Sequence, residues 1–186
     1  MSCDGTDFQV YEHGRKWYSH KNKKSALRYE VCLSIITGDI VWINVPFVAG
    51  KHNDIIIFRS SLVSHLSFGE RVEADDGYIG EAPQCIKCPM SVTNPAGMKE
   101  IQGRVRSRQE TVNRRFKDWG ILKQVYRHDL PSHSEVFRAI AVITQIAIDS
   151  GEKLFSYIYR DHYFFDFVFP PGVVHLLMGH SDLSRQ

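Results

Sequence analysis

The chain has no run of about 18 apolar residues, so no segment reads as a membrane-crossing helix. Its opening, MSCDGTDFQV, lacks the basic-then-apolar pattern of a secretory signal. Cysteine is scarce: Cys3, Cys32, Cys85 and Cys88 do not make a disulfide framework in a chain of 186 residues, and a reducing compartment is the default reading. Internal repeats and low-complexity segments are missing. Net charge is small, +2. What is present is apolar material: 43% hydrophobic and 12% aromatic residues support a sizeable core and exclude a disordered chain. The length fits one domain, or one domain with a tail.

The small net charge hides local excesses. Ile101–His128 carries eight Lys/Arg against Glu110 and Asp118, and Glu12–Arg28 carries six against Glu12. Either patch alone reads as a solvated face; together they suit a polyanion. Cys85 and Cys88 form one C-x-x-C, at most half a zinc site, with only His52 or His65 to complete it. A loop with two thiols is the simpler reading.

Hydrophobic patterning predicts a strand around Phe8–Tyr11 with Asp4 near its end, then a polar, basic loop over His13–Ala26. Arg28–Ile36 and Ile40–Val45 read as a hairpin turning at Thr37-Gly38-Asp39. Asp54 is placed to cap a helix through Phe58, Leu62 and Leu66, and Arg71–Ala74 reads as a short strand delivering Asp75. Gly77–Gly103 reads as a long loop, the kind that carries function. Helices follow over Arg104–Trp119 and from a capping box at Ser132–Glu135 to Gly151, and Leu154–Phe169 is aromatic and strand-like. This order predicts an α/β, RNase H-like fold: a mixed sheet with three consecutive antiparallel strands flanked by helices. The expected division is a domain over 1–153 and a C-terminal extension over 154–186, with Gly172–Gln186 poorly ordered.

Within Arg104–Trp119, Val105, Val112, Phe116 and Trp119 share one helical face. Arg106, Glu110 and Lys117 fall within roughly 40° of one another on a neighbouring face. An ordinary solvated ion pair is one reading. The other joins Glu110 to Asp4 and Asp75, which stand beside turn glycines; Asp75 lies 71 residues after Asp4 and 35 before Glu110. Converging carboxylates are what two-metal phosphodiester chemistry needs, with ions about 4 Å apart. Hard oxygen donors select Mg²⁺ or Mn²⁺. Arg106 and Lys117 would then meet substrate phosphates, and Arg114 belongs to the same basic run. Asp54 is either a helix N-cap or a metal-site member. Asp76 reads as a turn residue; Trp17 and Tyr18 read as packing, or as a stacking surface for a flipped base.

The segments CDGTDF, KWYSHKNK, LRYEV, TGDIVWINVPF, HNDIIIFR, GERVEADDGY and RQETVNRRFKDWGILKQ, in that order, resemble the DDE endonuclease domain of PIF/Harbinger-type transposases over roughly Ser2–Ser150. The resemblance implies an RNase H-like core, Mg²⁺ or Mn²⁺, metal-dependent DNA cleavage and strand transfer, and work in the nucleus. Asp4 matches the Asp of the family's D-G-T motif, Asp75 that of its D-x-G-Y motif, and Glu110 its helical Glu. Asp54 matches an acidic position of an H-x-D-like segment and competes with Asp75 as second triad member. Arg106, Glu110 and Lys117 match three of the four positions of the related Y-R-E-K signature; the Tyr position is Gly103. The chain starts three residues before Asp4 and shows no helix-turn-helix region, so the reading expects an N-terminally truncated copy that needs a separate DNA-binding chain, with oligomeric state open. The alternative is a decayed or domesticated remnant that binds nucleic acid or protein without catalysis. A zinc- or thiol-dependent protein built on Cys85 and Cys88 ranks last.

Overall fold

The structure, a computed structural model, describes residues 1–90 and 98–154. The aromatic stretch and the tail after residue 154 lie outside the described residues. The fold is mixed α/β. Its centre is β1 (Ser2–Gln9), which pairs antiparallel with β3 (Lys24–Leu33) along its whole length, Asp4 opposite Val31 and Gly5 opposite Glu30. On its other side β1 pairs parallel with β6 (Val72–Glu73), and β6 parallel with β7 (Ile86–Lys87). The far edge of β3 takes β2 (Tyr18–Ser19), β4 (Ile40–Ile43) and β5 (Phe47–Val48), all antiparallel.

Alternation along the strands sends side chains into two cores. Phe8 of β1 and Val10 just after it, with Leu27, Tyr29, Val31 and Leu33 of β3, meet Val112 and Phe116 of α2 (Met98–Asp118) and Phe137 and Ile140 of α4 (Leu130–Asp149). Cys3 and Cys32 point the other way, among Phe58 of α1 (Asp54–Ser60), Leu62, Val72 and Tyr78. Helices therefore lie on both faces of the sheet.

Several boundaries differ from the sequence reading. The polar stretch expected as a loop over His13–Ala26 holds a short 3-10 turn, β2 and the start of β3. The helix from Asp54 stops at Ser60 and gives way to a 3-10 turn at Leu62–His65. The loop expected over Gly77–Gly103 contains a 3-10 turn over Asp76–Glu81, then β7, and α2 begins at Met98 rather than Arg104. Trp119, expected on the buried face, is 42% exposed. The helix has ended at Asp118, and Trp119 takes extended backbone to start α3 (Gly120–Lys123). The N-cap of α4 is Asp129, whose carboxylate accepts the Ser132 N–H, so the chain enters that helix earlier than a capping box at Ser132 would allow.

The larger core is organised around Tyr29. Its ring lies 4.1 Å from Phe137 and 5.5 Å from His133, and its hydroxyl sits 2.7 Å from His133 Nδ1. Burial drives the His133 pKa down to about 4, so the neutral ring shares a hydrogen bond with the tyrosine hydroxyl. A base whose folded pKa lies below its unfolded value stabilises the fold above the unfolded pKa and loses that contribution as pH falls. Urea denaturation of wild type and His133→Gln should therefore converge as pH is lowered from 6.5 to 4. A constant gap between them would show that His133 has the same pKa in the folded and unfolded chains.

Candidate active site

β1 brings Asp4 to the middle of the sheet, and the parallel β6 beside it ends two residues before Asp75. Asp75 caps the following 3-10 turn, its Oδ1 accepting the Gly77 N–H at 2.8 Å. Asp76 is held in the same turn by accepting the Met90 N–H at 2.9 Å. Asp54 opens α1, but it is not the N-cap: Asn53 fills that role, accepting the Ile56 N–H. Asp54 is thereby released to lie over the β1 backbone. A Cβ placed on Gly5 would sit 2.0 Å from Asp54 Oδ1, and one on Gly77 would sit 3.8 Å from Asp54 Oδ2. The glycine of Asp4-Gly5-Thr6 is what lets this carboxylate close on the strand.

The three aspartates act on one another. Burial raises Asp4 to about 6; Lys21 opposes that, while the negative charges of Asp54 and Asp75 add to it. Burial likewise raises Asp54, Arg28 opposes, and Asp75 adds again. Asn113 of α2 completes the surroundings of Asp4 by donating Nδ2–H to Asp4 Oδ2 at 2.8 Å.

A second layer fixes these groups. Arg28 of β3 donates Nε–H and an Nη2 proton to Asp7 at 2.6 and 2.9 Å, and its Nη1 lies 3.3 Å from Asp54 Oδ1. Burial alone would raise Asp7, yet Arg28 and Ser19 hold it below the usual carboxylate range. Asp7 Oδ2 also accepts from the Ser19 hydroxyl at 2.5 Å and from Asn22 Nδ2 at 3.3 Å. That pins both sides of Lys21, whose charge acts on Asp4, Asp7 and Asp54. Glu30, opposite Gly5, is fully buried beside Cys3, Trp42 and Tyr78; burial, with Asp54 adding, pushes it up to about 8. A neutral Glu30 places no further anion beside Asp54.

Of the residues singled out from sequence, Asp4, Asp54 and Asp75 come together at one end of the sheet. Lys117 lies at their margin, since Asp4, Asp7 and Lys21 all act on it while burial lowers its pKa. Glu110, Arg106 and Arg114 stand exposed on α2. Among the described residues, no three His, Cys, Asp or Glu side chains close into a ready metal cluster, whether at Asp4, Asp54 and Asp75, at Asp4, Asp75 and Glu110, or at Cys85 and Cys88. His52 and His65 pack on Phe47 and Trp42 instead, and all four cysteines are free thiols. Trp17 is buried and Tyr18 exposed beside His20.

Sequence reasoning missed Asp7, Lys21, Arg28 and Asn113. Asp7 and Arg28 had an available signal: both fall on the strand face opposite Phe8 and Tyr29. Asn113 had one as well, since it falls about 60° from Phe116 around the helix.

A comparison with protein-family models matches residues 3–145 to the DDE superfamily endonuclease family. No curated protein and no solved structure matches.

An acid whose folded pKa is raised opposes folding above that pKa, and the burden is relieved as pH falls through the unfolded value. For Asp4 the window runs from 3.8 to about 6. Asp4→Asn should therefore be more stable than wild type at pH 7, by up to about 3 kcal/mol, and the gain should vanish near pH 4. Equal stability at both pH values would mean that Asp4 carries no such load.

Proposed function

Since the chain belongs to the DDE superfamily endonuclease family, we propose that it is a transposase-like nuclease domain that cleaves DNA with Mg²⁺ or Mn²⁺. The finer reading is a PIF/Harbinger-like enzyme with an RNase H-like core, working on nuclear DNA. The strand order supports that core: a central strand with an antiparallel hairpin on one side and two parallel strands on the other. The observation that carries the proposal is the convergence of Asp4, Asp54 and Asp75 from β1, α1 and the end of β6, with like-charge repulsion between them.

The donor set fits a hard divalent cation. It consists of carboxylate oxygens, and Asn113 Oδ1 is buried without a hydrogen-bond partner, while Asp54 Oδ1 has only the Arg28 ion pair at 3.3 Å. Asp4 and Asp75 would hold the ions, with Glu110 as the third carboxylate of the triad and Asp54 as a competing or additional ligand. Bound there, the metal supplies an activated water or 3′-hydroxyl and stabilises the leaving oxygen. Arg28 fixes Asp54 against β1. Lys21 and Lys117 present positive charge beside the carboxylates, where a phosphodiester would approach, and Arg106 and Arg114 extend that charge along the exposed side of α2. Supercoiled plasmid incubated with Mn²⁺ should be nicked by the wild-type chain and left intact by Asp4→Asn, Asp75→Asn and Glu110→Gln. Full nicking by the Asp4 variant would refute the assignment.

One observation favours the rival reading of a non-catalytic DNA-binding remnant: Glu110 faces solvent. That reading expects salt-sensitive DNA binding and no metal-dependent cleavage. Under the nuclease reading, Lys21→Ala should lower the slope of log K against log salt by about 1, measured by fluorescence anisotropy at several salt concentrations. An unchanged slope would remove Lys21 from the DNA interface.

A further inference from the structure

The inward face of α2 carries three amide side chains, and two of them have recognisable structural partners. Gln109 donates Nε2–H to the Val31 carbonyl at 2.9 Å and accepts from the Ser2 hydroxyl at 3.1 Å. Gln102 donates to Glu73 at 3.1 Å. Asn113 differs. It is 8% exposed, its Nδ2 donates to Asp4 at 2.8 Å, and its Oδ1 is buried with no hydrogen-bond partner. The amide orientation is set by chemistry: an ionised Asp4 only accepts, so the nitrogen makes the contact and the oxygen is left without one. A buried amide carbonyl left without a partner costs about 1–3 kcal/mol. A leucine of similar size would avoid that cost, yet the position holds an amide that already touches a carboxylate through its nitrogen and keeps its oxygen unpartnered. Hydrogen-bond donors would suit that oxygen, and so would a cation already attracted by Asp4.

We propose that Asn113 is a ligand of the divalent-cation site, its Oδ1 binding the ion held by Asp4 while its Nδ2 fixes the Asp4 carboxylate. This rests on the nuclease reading for the ion and adds a neutral oxygen donor from α2 to the carboxylates. A neutral carbonyl adds a hard donor without adding to the repulsion among Asp4, Asp54 and Asp75. It also gives Glu110 a different place: three residues earlier and about 60° around the helix, it approaches from the solvent side, while Asn113 supplies the inward contact.

Mn²⁺ binding to the purified full chain, followed by calorimetry and by electron paramagnetic resonance, tests this without reference to cleavage. Asn113→Leu should weaken Mn²⁺ about tenfold or more while leaving thermal unfolding in chelator unchanged or raised. Asn113→Asp, which keeps the oxygen and adds a charge, should bind Mn²⁺ at least as tightly as wild type, and its unfolding temperature should rise more on Mn²⁺ addition. Wild-type affinity in the Leu variant, or a Leu variant that loses stability in chelator with no change in Mn²⁺ affinity, would overturn the assignment and leave Asn113 a structural amide. Should wild type bind no Mn²⁺ and Asp4→Asn change nothing, the metal-dependent reading itself fails along with it. Weakened binding in Asp4→Asn but not in Asn113→Leu sinks the ligand assignment alone.

Discussion

The buried guanidinium of Arg28 ties together most of what surrounds the site. It is bidentate on Asp7, reaches Asp54, and sits on β3 across from Asp7 in register. One side chain thus links the central strand, its antiparallel neighbour and the first turn of α1. Through Asp7 it also links to Ser19 and Asn22, and so to the loop carrying Lys21. Such a pair gains little over well-packed apolar residues, but removing one partner strands the other charge in the interior. Its value here is placement: the same contacts that satisfy Arg28 decide where Asp54 and Lys21 stand relative to Asp4.

The compensation is incomplete, and the shortfall is informative. Asp7 takes the better hydrogen bonds of Arg28, leaving Asp54 a single nitrogen at 3.3 Å. Asp4 has the Asn113 amide N–H, the Gly5 backbone N–H and the charge of Lys21 against burial and two neighbouring anions, and its pKa stays high. The fold neutralises Glu30 by burial and Asp7 by pairing, yet leaves Asp4 and Asp54 short of positive charge. A structure selected only for stability would not assemble like charges around its central strand. The pattern is that of a site whose last positive charge comes from outside the chain.

The sheet was largely legible in the sequence because its signals are local. The Thr37-Gly38-Asp39 turn marks the hairpin, and the Asp75-Asp76-Gly77 turn marks the strand end where Asp75 sits, whereas Asp4-Gly5, read as the end of a strand, lies inside the β1–β3 ladder. Short elements escaped: β2, β5 and β7 are two residues each, too brief to show a period, and exist because a neighbouring strand edge recruits them. The Arg28–Asp7 pair escaped because it depends on cross-strand register, and Lys21 because its position is fixed by side-chain bonds to Asp7 across a gap of more than ten residues. Asp54 read as a cap because it opens a helix; Asn53, one residue earlier, does the capping.

The face of α2 shows most clearly what a charge pattern leaves undecided. Arg106, Glu110 and Lys117 form a stripe, but which way a helix turns on a sheet is decided by its buried contacts. Val105, Val112 and Phe116 set that direction, and Glu110 falls about 120–160° away from them. The turn is locked by polar bonds as well: Gln109 to Val31 and Ser2, Gln102 to Glu73, and Arg108 to the Ile35 carbonyl at 2.7 Å. Rolling the helix by 60° to bring Glu110 where Asn113 now stands would break those bonds, each broken buried bond costing about 1–3 kcal/mol. Any approach of Glu110 to the carboxylates would therefore have to come from the swing of its own side chain, with the helix held still. That leaves the inward position beside Asp4 permanently to Asn113, and makes the neutral amide, rather than the acid, the group whose geometry the fold fixes in advance.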